Sequence, residues 1–214
     1  MASILVDLPE PGHSLVQWQG PLLILAHGAG APRDSDWLTQ VTTLLVTEGI
    51  GVVRFEFPYM QQQRLTGKRR PPDRQPVLLD YWRHIVDQVQ AEFVGPLWLG
   101  GKSMGGRMAT LVVDSLPVAG SVILGYPFHP VGKPQQPRVE ALQSLVKPCL
   151  IVQGTRDPLG NRERVSGYPL SASIELAWLE DGDHDFKPRR SSGFSQSQHQ
   201  QQAASVIQRF INKN

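Results

Sequence analysis

A single cysteine, Cys149, stands in the 214 residues, so a disulfide framework within the chain is excluded. It lies inside the apolar run PCLIV, which makes it a poor candidate nucleophile, and the scarcity of thiols favours a cytoplasmic location. Net charge is also small: 21 Lys and Arg against 19 Asp and Glu leave a formal +2, too little by itself to draw nucleic acid or another polyanion. No stretch approaches the ~18 consecutive apolar residues of a membrane helix. The opening MASILVDLPEPG lacks the basic start and long apolar segment of a signal peptide. The expectation is a soluble cytoplasmic protein with neither nucleic acid nor membrane as partner. At 40% hydrophobic residues the chain suits one domain over 1–214 with a single sizeable core, as a monomer or small homo-oligomer.

What is present is a regular alternation. Ile4–Val6 reads as an edge strand, and Pro21–His27 as a buried central strand closed by Gly28-Ala29-Gly30. Asp34, Ser35 and Asp36 are candidate N-caps of a helix with Trp37, Leu38, Val41, Leu44 and Leu45 on one face, before Gly49 and a strand over Ile50–Phe55. Met60–Gln75 holds Arg64, Lys68, Arg69, Arg70 and Arg74 against Asp73, and reads as a flexible, solvated basic loop, or as one that attracts anionic substrates. A broad apolar stripe from Leu78 to Phe93 forms a helix that packs on the sheet. Strands follow at Leu97–Leu99, Ala119–Leu124, Pro148–Gln153 and Ile174–Leu179, with a short helix near Glu140–Leu145. Ala203, Val206, Ile207, Phe210 and Ile211 line a terminal helix whose glutamine-rich first turns are exposed. The alternation predicts an α/β fold, a mostly parallel central sheet with helices on both faces. No long insertion separates Leu124 from Leu150, so any lid is small or absent.

The most informative stretch is PLWLGGKSMGGR at 96–107. Gly101-Lys102-Ser103-Met104-Gly105 fits Gly-x-Ser-x-Gly, in which the serine sits in a strained strand-to-helix turn with its hydroxyl exposed. A phosphate-binding loop ending in Gly101-Lys102-Ser103 requires its first glycine at 96, where the chain has Pro96. An ordinary glycine-rich turn with a capping serine accounts for the motif alone, and Lys102 reads as incidental.

In an open α/β sheet the loops at the carboxyl ends of the strands form the functional crevice. Here those loops carry His27-Gly28-Ala29-Gly30, Ser103, Asp157 and His184. A serine hydroxyl needs a base within reach, and the base needs a carboxylate to orient it. The chain order Ser103, Asp157, His184 is that of nucleophile-elbow hydrolases. Asp181, Asp183 and Asp185 are rivals of Asp157, and as a cluster they also raise the question of a metal, which their spacing does not support. Oxyanion donors would be the N–H groups of Ala29 and Met104, with Gly30 nearby. Tyr59, Met60, Tyr126, Phe128 and Phe186 are candidate pocket walls with Gly30, and His129 is a further loop candidate.

The blocks HGAGA at 27–31, GKSMGGR at 101–107, GTRD at 154–157 and DGDHD at 181–185 together resemble the α/β-hydrolase superfamily. The resemblance is to its dienelactone-hydrolase-like and animal testis-expressed hydrolase-like branches, and runs from about Pro21 to the end. It implies a lid-poor serine hydrolase acting on a small acyl substrate, an ester or thioester, with no metal or organic cofactor and with His27 in a structural role. Fold does not guarantee activity, so the alternative is an inactive scaffold of the same fold used for protein–protein contacts.

Overall fold

The computed structural model describes residues 3–214. The continuous apolar runs become inner strands, because a parallel strand covered by helices on both faces has no solvated side to make polar. Strands β1 (Ile4–Asp7), β2 (Leu22–Ala26), β3 (Gly51–Phe55), β4 (Leu97–Lys102), β5 (Gly120–Leu124), β6 (Cys149–Gly154) and β7 (Ile174–Leu179) form one sheet in the order β1-β3-β2-β4-β5-β6-β7. Only β1 is antiparallel, pairing Ile4 with Phe55 and Asp7 with Val52 at the edge. All other neighbours are parallel, so every loop that follows β2 to β7 emerges on one side.

Successive strand residues face opposite ways, which divides the core into two layers. Leu22, Ile24 and Ala26 of β2, with Leu97 and Leu99 of β4, pack with helices α3 (Gln75–Gln90) and α4 (Met104–Thr110). Leu23, Leu25 and Trp98 turn the other way, onto α1 (Asp36–Thr47) and α7 (Gln196–Lys213). Helix α7 begins with a reciprocal capping box: Ser195 accepts the Gln198 N–H, while the Gln198 side chain accepts the Ser195 N–H. Its glutamine-rich start is not wholly exposed, since His199 and Gln200 are buried. Short helices α5 (Glu140–Gln143) and α6 (Arg162–Val165) precede and follow β6 along the chain.

The basic segment differs from expectation. Pro58–Thr66 is a helix, α2, rather than a solvated loop. Pro58 starts it where its missing N–H costs nothing, Tyr59 and Met60 bury themselves in the core, and Gly67 ends it at φ 67°. Arg64 is held by Glu56 at 2.5 and 3.0 Å and by Asp34 at 2.7 Å, so it is no free cation. The irregular part shrinks to 67–74.

The start of α4 lies so close to the end of β2 that a side chain there has no room. A Cβ on Gly105 would stand 2.5 Å from the His27 carbonyl oxygen and 2.7 Å from the Ala26 Cβ. Gly105→Ala is therefore expected to destabilise the fold by about 1–3 kcal/mol. Gly30→Ala, where a Cβ meets open space, should stay within about 0.5 kcal/mol. Urea unfolding midpoints of the two variants check this.

Candidate active site

Ser103 joins β4 to α4 with φ 52° and ψ −113°, a backbone that projects its side chain out of the turn. The turn is clamped: the Ser103 N–H bonds Leu124 O of β5 at 3.0 Å, and its carbonyl accepts the Arg107 N–H at 2.9 Å. Gly106 passes close under β4, where a Cβ would come within 2.5 Å of Gly101 O.

Two loops from the far side of the sheet reach this serine. His184 Nε2 lies 2.9 Å from Ser103 Oγ, and His184 Nδ1 lies 2.7 Å from Asp157 Oδ2. Because a carboxylate only accepts, Nδ1 carries the proton and Nε2 is left to accept from the serine hydroxyl. Asp157 is fully buried, yet satisfied: it also accepts from Gln153 Nε2 at 2.8 Å and from the Leu159 N–H at 2.7 Å. Gln153, the penultimate residue of β6, is itself fixed by the Tyr126 N–H at 2.7 Å. The rival acids have other work. Asp181 binds Arg156 and Arg189, and the Arg189 hydrogen bond pulls its pKa down to about 2. Asp183 accepts the amides of Asp185 and Lys187, and Asp185 pairs with Lys102 at 3.2 Å.

Lys102 is far from incidental. Its buried ammonium donates to the His184 carbonyl at 2.7 Å and lies 5.4 Å from the centre of the Trp37 ring. Burial draws its pKa below the usual lysine range, with Asp185 opposing. Trp37 Nε1 in turn donates to Asp185 O at 2.9 Å, and His199 Nδ1 to Phe186 O at 2.8 Å, so the backbone around His184 is tied at three successive residues. No sequence signal separated this lysine from a solvent-exposed one. The signal for Gln153 was a polar residue closing an otherwise apolar strand.

On the other side stands the loop after β2. His27 is buried; its Nδ1–H bonds Gly28 O at 2.6 Å and its Nε2 accepts the Phe57 N–H at 3.1 Å. The Tyr59 hydroxyl donates to Ala29 O at 3.0 Å. These bonds fix the Gly28-Ala29-Gly30 backbone, and neither the Ala29 nor the Met104 N–H has an acceptor among the described residues.

Two cavities meet at Ser103 and Ala29. One, of about 310 Å³, is lined by Gly30, Trp37, Leu38, Lys102 and His184. The other, of about 380 Å³, is lined by Leu78, Met104, Arg107, Met108, His129 and Arg138. The expected walls Tyr59, Met60, Tyr126, Phe128 and Phe186 line neither: all five are buried in the core. They follow strands, as pocket residues do, but they pack beneath the loops and hold them. Tyr126 and Phe128 meet edge to face at 4.8 Å, as do Phe186 and Trp37 at 5.3 Å. Burial also pushes the Cys149 thiol up to about 12, which leaves no thiolate. Among the described residues no group of three or more His, Cys, Asp or Glu side chains is gathered to hold a metal ion.

A family model described as an alpha/beta hydrolase domain matches residues 19–212. Among solved structures, a lidless α/β serine hydrolase from Xanthomonas campestris superposes with a TM-score of 0.71 at 20% identity, over 98% of this chain and 88% of that one. A dienelactone hydrolase from Anabaena variabilis gives 0.69 at 18% identity, over 98% and 90%. Est1E from Butyrivibrio proteoclasticus, with ferulic acid bound, gives 0.69 at 15% identity, over 98% and 95%. At these identities the likeness is one of fold.

The buried imidazole of His27 supplies a test of how the Ala29 loop is held. Burial lowers its pKa below the ordinary histidine value of about 6.5. Between the folded value and about 6.5 the unfolded chain therefore binds more protons, so this contribution is complete above about pH 6.5 and is lost as pH falls. The slope of unfolding free energy with pH, measured from pH 5 to 7.5, should be positive in the native protein and shallower in His27→Gln.

Proposed function

The chain belongs to the alpha/beta hydrolase family, and from this premise we propose that it is a serine hydrolase acting on small ester or thioester substrates. The observation that carries the reading is the continuous relay from Ser103 Oγ through His184 to the buried carboxylate of Asp157, at 2.9 and 2.7 Å. Kinship within the family to dienelactone-hydrolase-like and testis-expressed hydrolase-like proteins is part of the proposal and rests on the four motif blocks.

In this reading Ser103 Oγ attacks the acyl carbonyl as its proton passes to His184 Nε2. Asp157 keeps the imidazole in the tautomer that can receive that proton and stabilises the resulting cation. The unpartnered N–H groups of Ala29 and Met104 receive the developing oxyanion. Their preorganisation matters, since removing one such donor typically costs about 100- to 1,000-fold in turnover. His184 then returns the proton to the leaving oxygen or sulfur. Water, deprotonated by the same histidine, releases the acid and regenerates the serine. No cofactor enters the scheme.

The role assigned to Asp157 is testable apart from that of Ser103. With p-nitrophenyl acyl esters of increasing chain length as substrates, Ser103→Ala should abolish enzymatic turnover. Asp157→Asn should lower kcat by about 10³- to 10⁴-fold, since the amide favours the wrong tautomer. Full activity in either variant, shown to be folded by circular dichroism, would contradict the assignment.

A further inference from the structure

The cavity on the Met104 side of Ser103 carries positive charge that the fold leaves uncommitted. Arg138 is half-buried on its wall, and its guanidinium makes no hydrogen bond or ion pair among the described residues. Its backbone, by contrast, is anchored: the N–H bonds Phe128 O at 2.7 Å, and the carbonyl accepts the Tyr126 hydroxyl at 2.9 Å. The main chain is thus fixed, while the side chain of this cavity-lining residue is left without a partner. Arg107, one turn along α4 from Ser103, borders the same space, and its side chain has only the neutral Gln75 Oε1 as partner, at 3.2 Å. The two cations repel each other: burial and then Arg107 draw the Arg138 pKa down. The one acid on this wall, Asp73, is engaged by the Tyr59 N–H at 2.9 Å. His129, also on the wall, has Nδ1 directed to Pro130 O at 2.9 Å.

Two half-buried arginines on one cavity, neither paired with a carboxylate, are an unfavourable arrangement that an incoming anion relieves, and the guanidinium fork fits the two oxygens of a carboxylate. The side of the serine also matters. His184 must protonate the leaving group, and His184 lines the other cavity, so the cavity with the arginines receives the acyl chain. Resting on the hydrolase reading above, we infer that the acyl chain ends in a carboxylate, so that the substrate is a monoester or monothioester of a short dicarboxylic acid, held by Arg107 and Arg138. Arg69 and Arg70 border an adjoining hollow at Ala29 and Gly30, which extends the positive field toward solvent.

The test compares two esters with one leaving group and one chain length: mono-p-nitrophenyl adipate and p-nitrophenyl hexanoate, with enzyme-free rates subtracted. The native protein should favour the adipate in kcat/KM by about ten-fold or more at low salt, since a charge-assisted bond in a partly buried site is worth at least that. Arg138→Gln, and independently Arg107→Gln, should collapse the ratio, with Arg138→Lys in between. Arg83→Gln, at an exposed ion pair on α3, should leave it intact. Equal preference in the native protein, or a ratio untouched by both glutamine variants, overturns the inference. Should neither ester be turned over, the hydrolase reading is what has failed, and monomethyl adipate titrated into Ser103→Ala by NMR decides the subsite separately. Saturable binding lost in Ser103→Ala/Arg138→Gln upholds it, and binding that is absent or indifferent to Arg138 overturns it.

Discussion

At Ser103 the backbone holds φ 52° and ψ −113°, a conformation that costs a non-glycine residue on the order of 1–3 kcal/mol and persists only where its surroundings impose it. The surroundings here do so from three sides. β5 takes the serine amide through Leu124, α4 takes its carbonyl through Arg107, and the glycines at 105 and 106 let β2 and β4 close to distances no Cβ would tolerate. The result is a hydroxyl held proud of the sheet, on the side where the loops after the parallel strands emerge. Without this turn the imidazole of His184 would have nothing to meet.

The remaining parts of the site are held by side chains that bond the backbone of its loops, some of them, Trp37 and Lys102 among them, also lining a cavity. The loop after β2 is fixed by a buried histidine and a tyrosine hydroxyl. The loop after β7 bends at left-handed Asp181 and Phe186, at φ 58° and 65°, and is fixed by arginines, Lys102, Trp37 and His199. Charge is segregated to match. Every acid of the 181–185 run is spent on neighbouring cations or amides, leaving Asp157 as the carboxylate on the imidazole. Across the serine, the arginines at 107 and 138 have no such partners.

Much of this was legible because parallel strands buried on both faces write themselves as unbroken apolar runs. Their ends therefore located the loops, and the loops located Ser103, Asp157 and His184, which the structure brings within hydrogen-bonding distance. What was not legible depended on contacts between distant segments. Helix α2 has few apolar residues, and it forms because Tyr59 and Met60 find the core and Arg64 finds Glu56 and Asp34. The aromatic residues after β3, β5 and β7 suggested pocket walls by position alone, whereas their rings fill the space under those loops. Lys102 looked like chance inside a glycine-rich motif, since its partner carbonyl lies 82 residues away.

The central claim is that this turn and relay make Ser103 a nucleophile. A fluorophosphonate probe reads that directly, because it reacts with a serine only when the hydroxyl is activated. Peptide mapping after labelling of the native protein, Ser103→Ala and His184→Ala identifies the modified residue. The account predicts one stoichiometric adduct on Ser103 in the native protein, strongly slowed in His184→Ala and absent in Ser103→Ala. An unlabelled Ser103 in folded native protein, or a label of equal rate without His184, would contradict it.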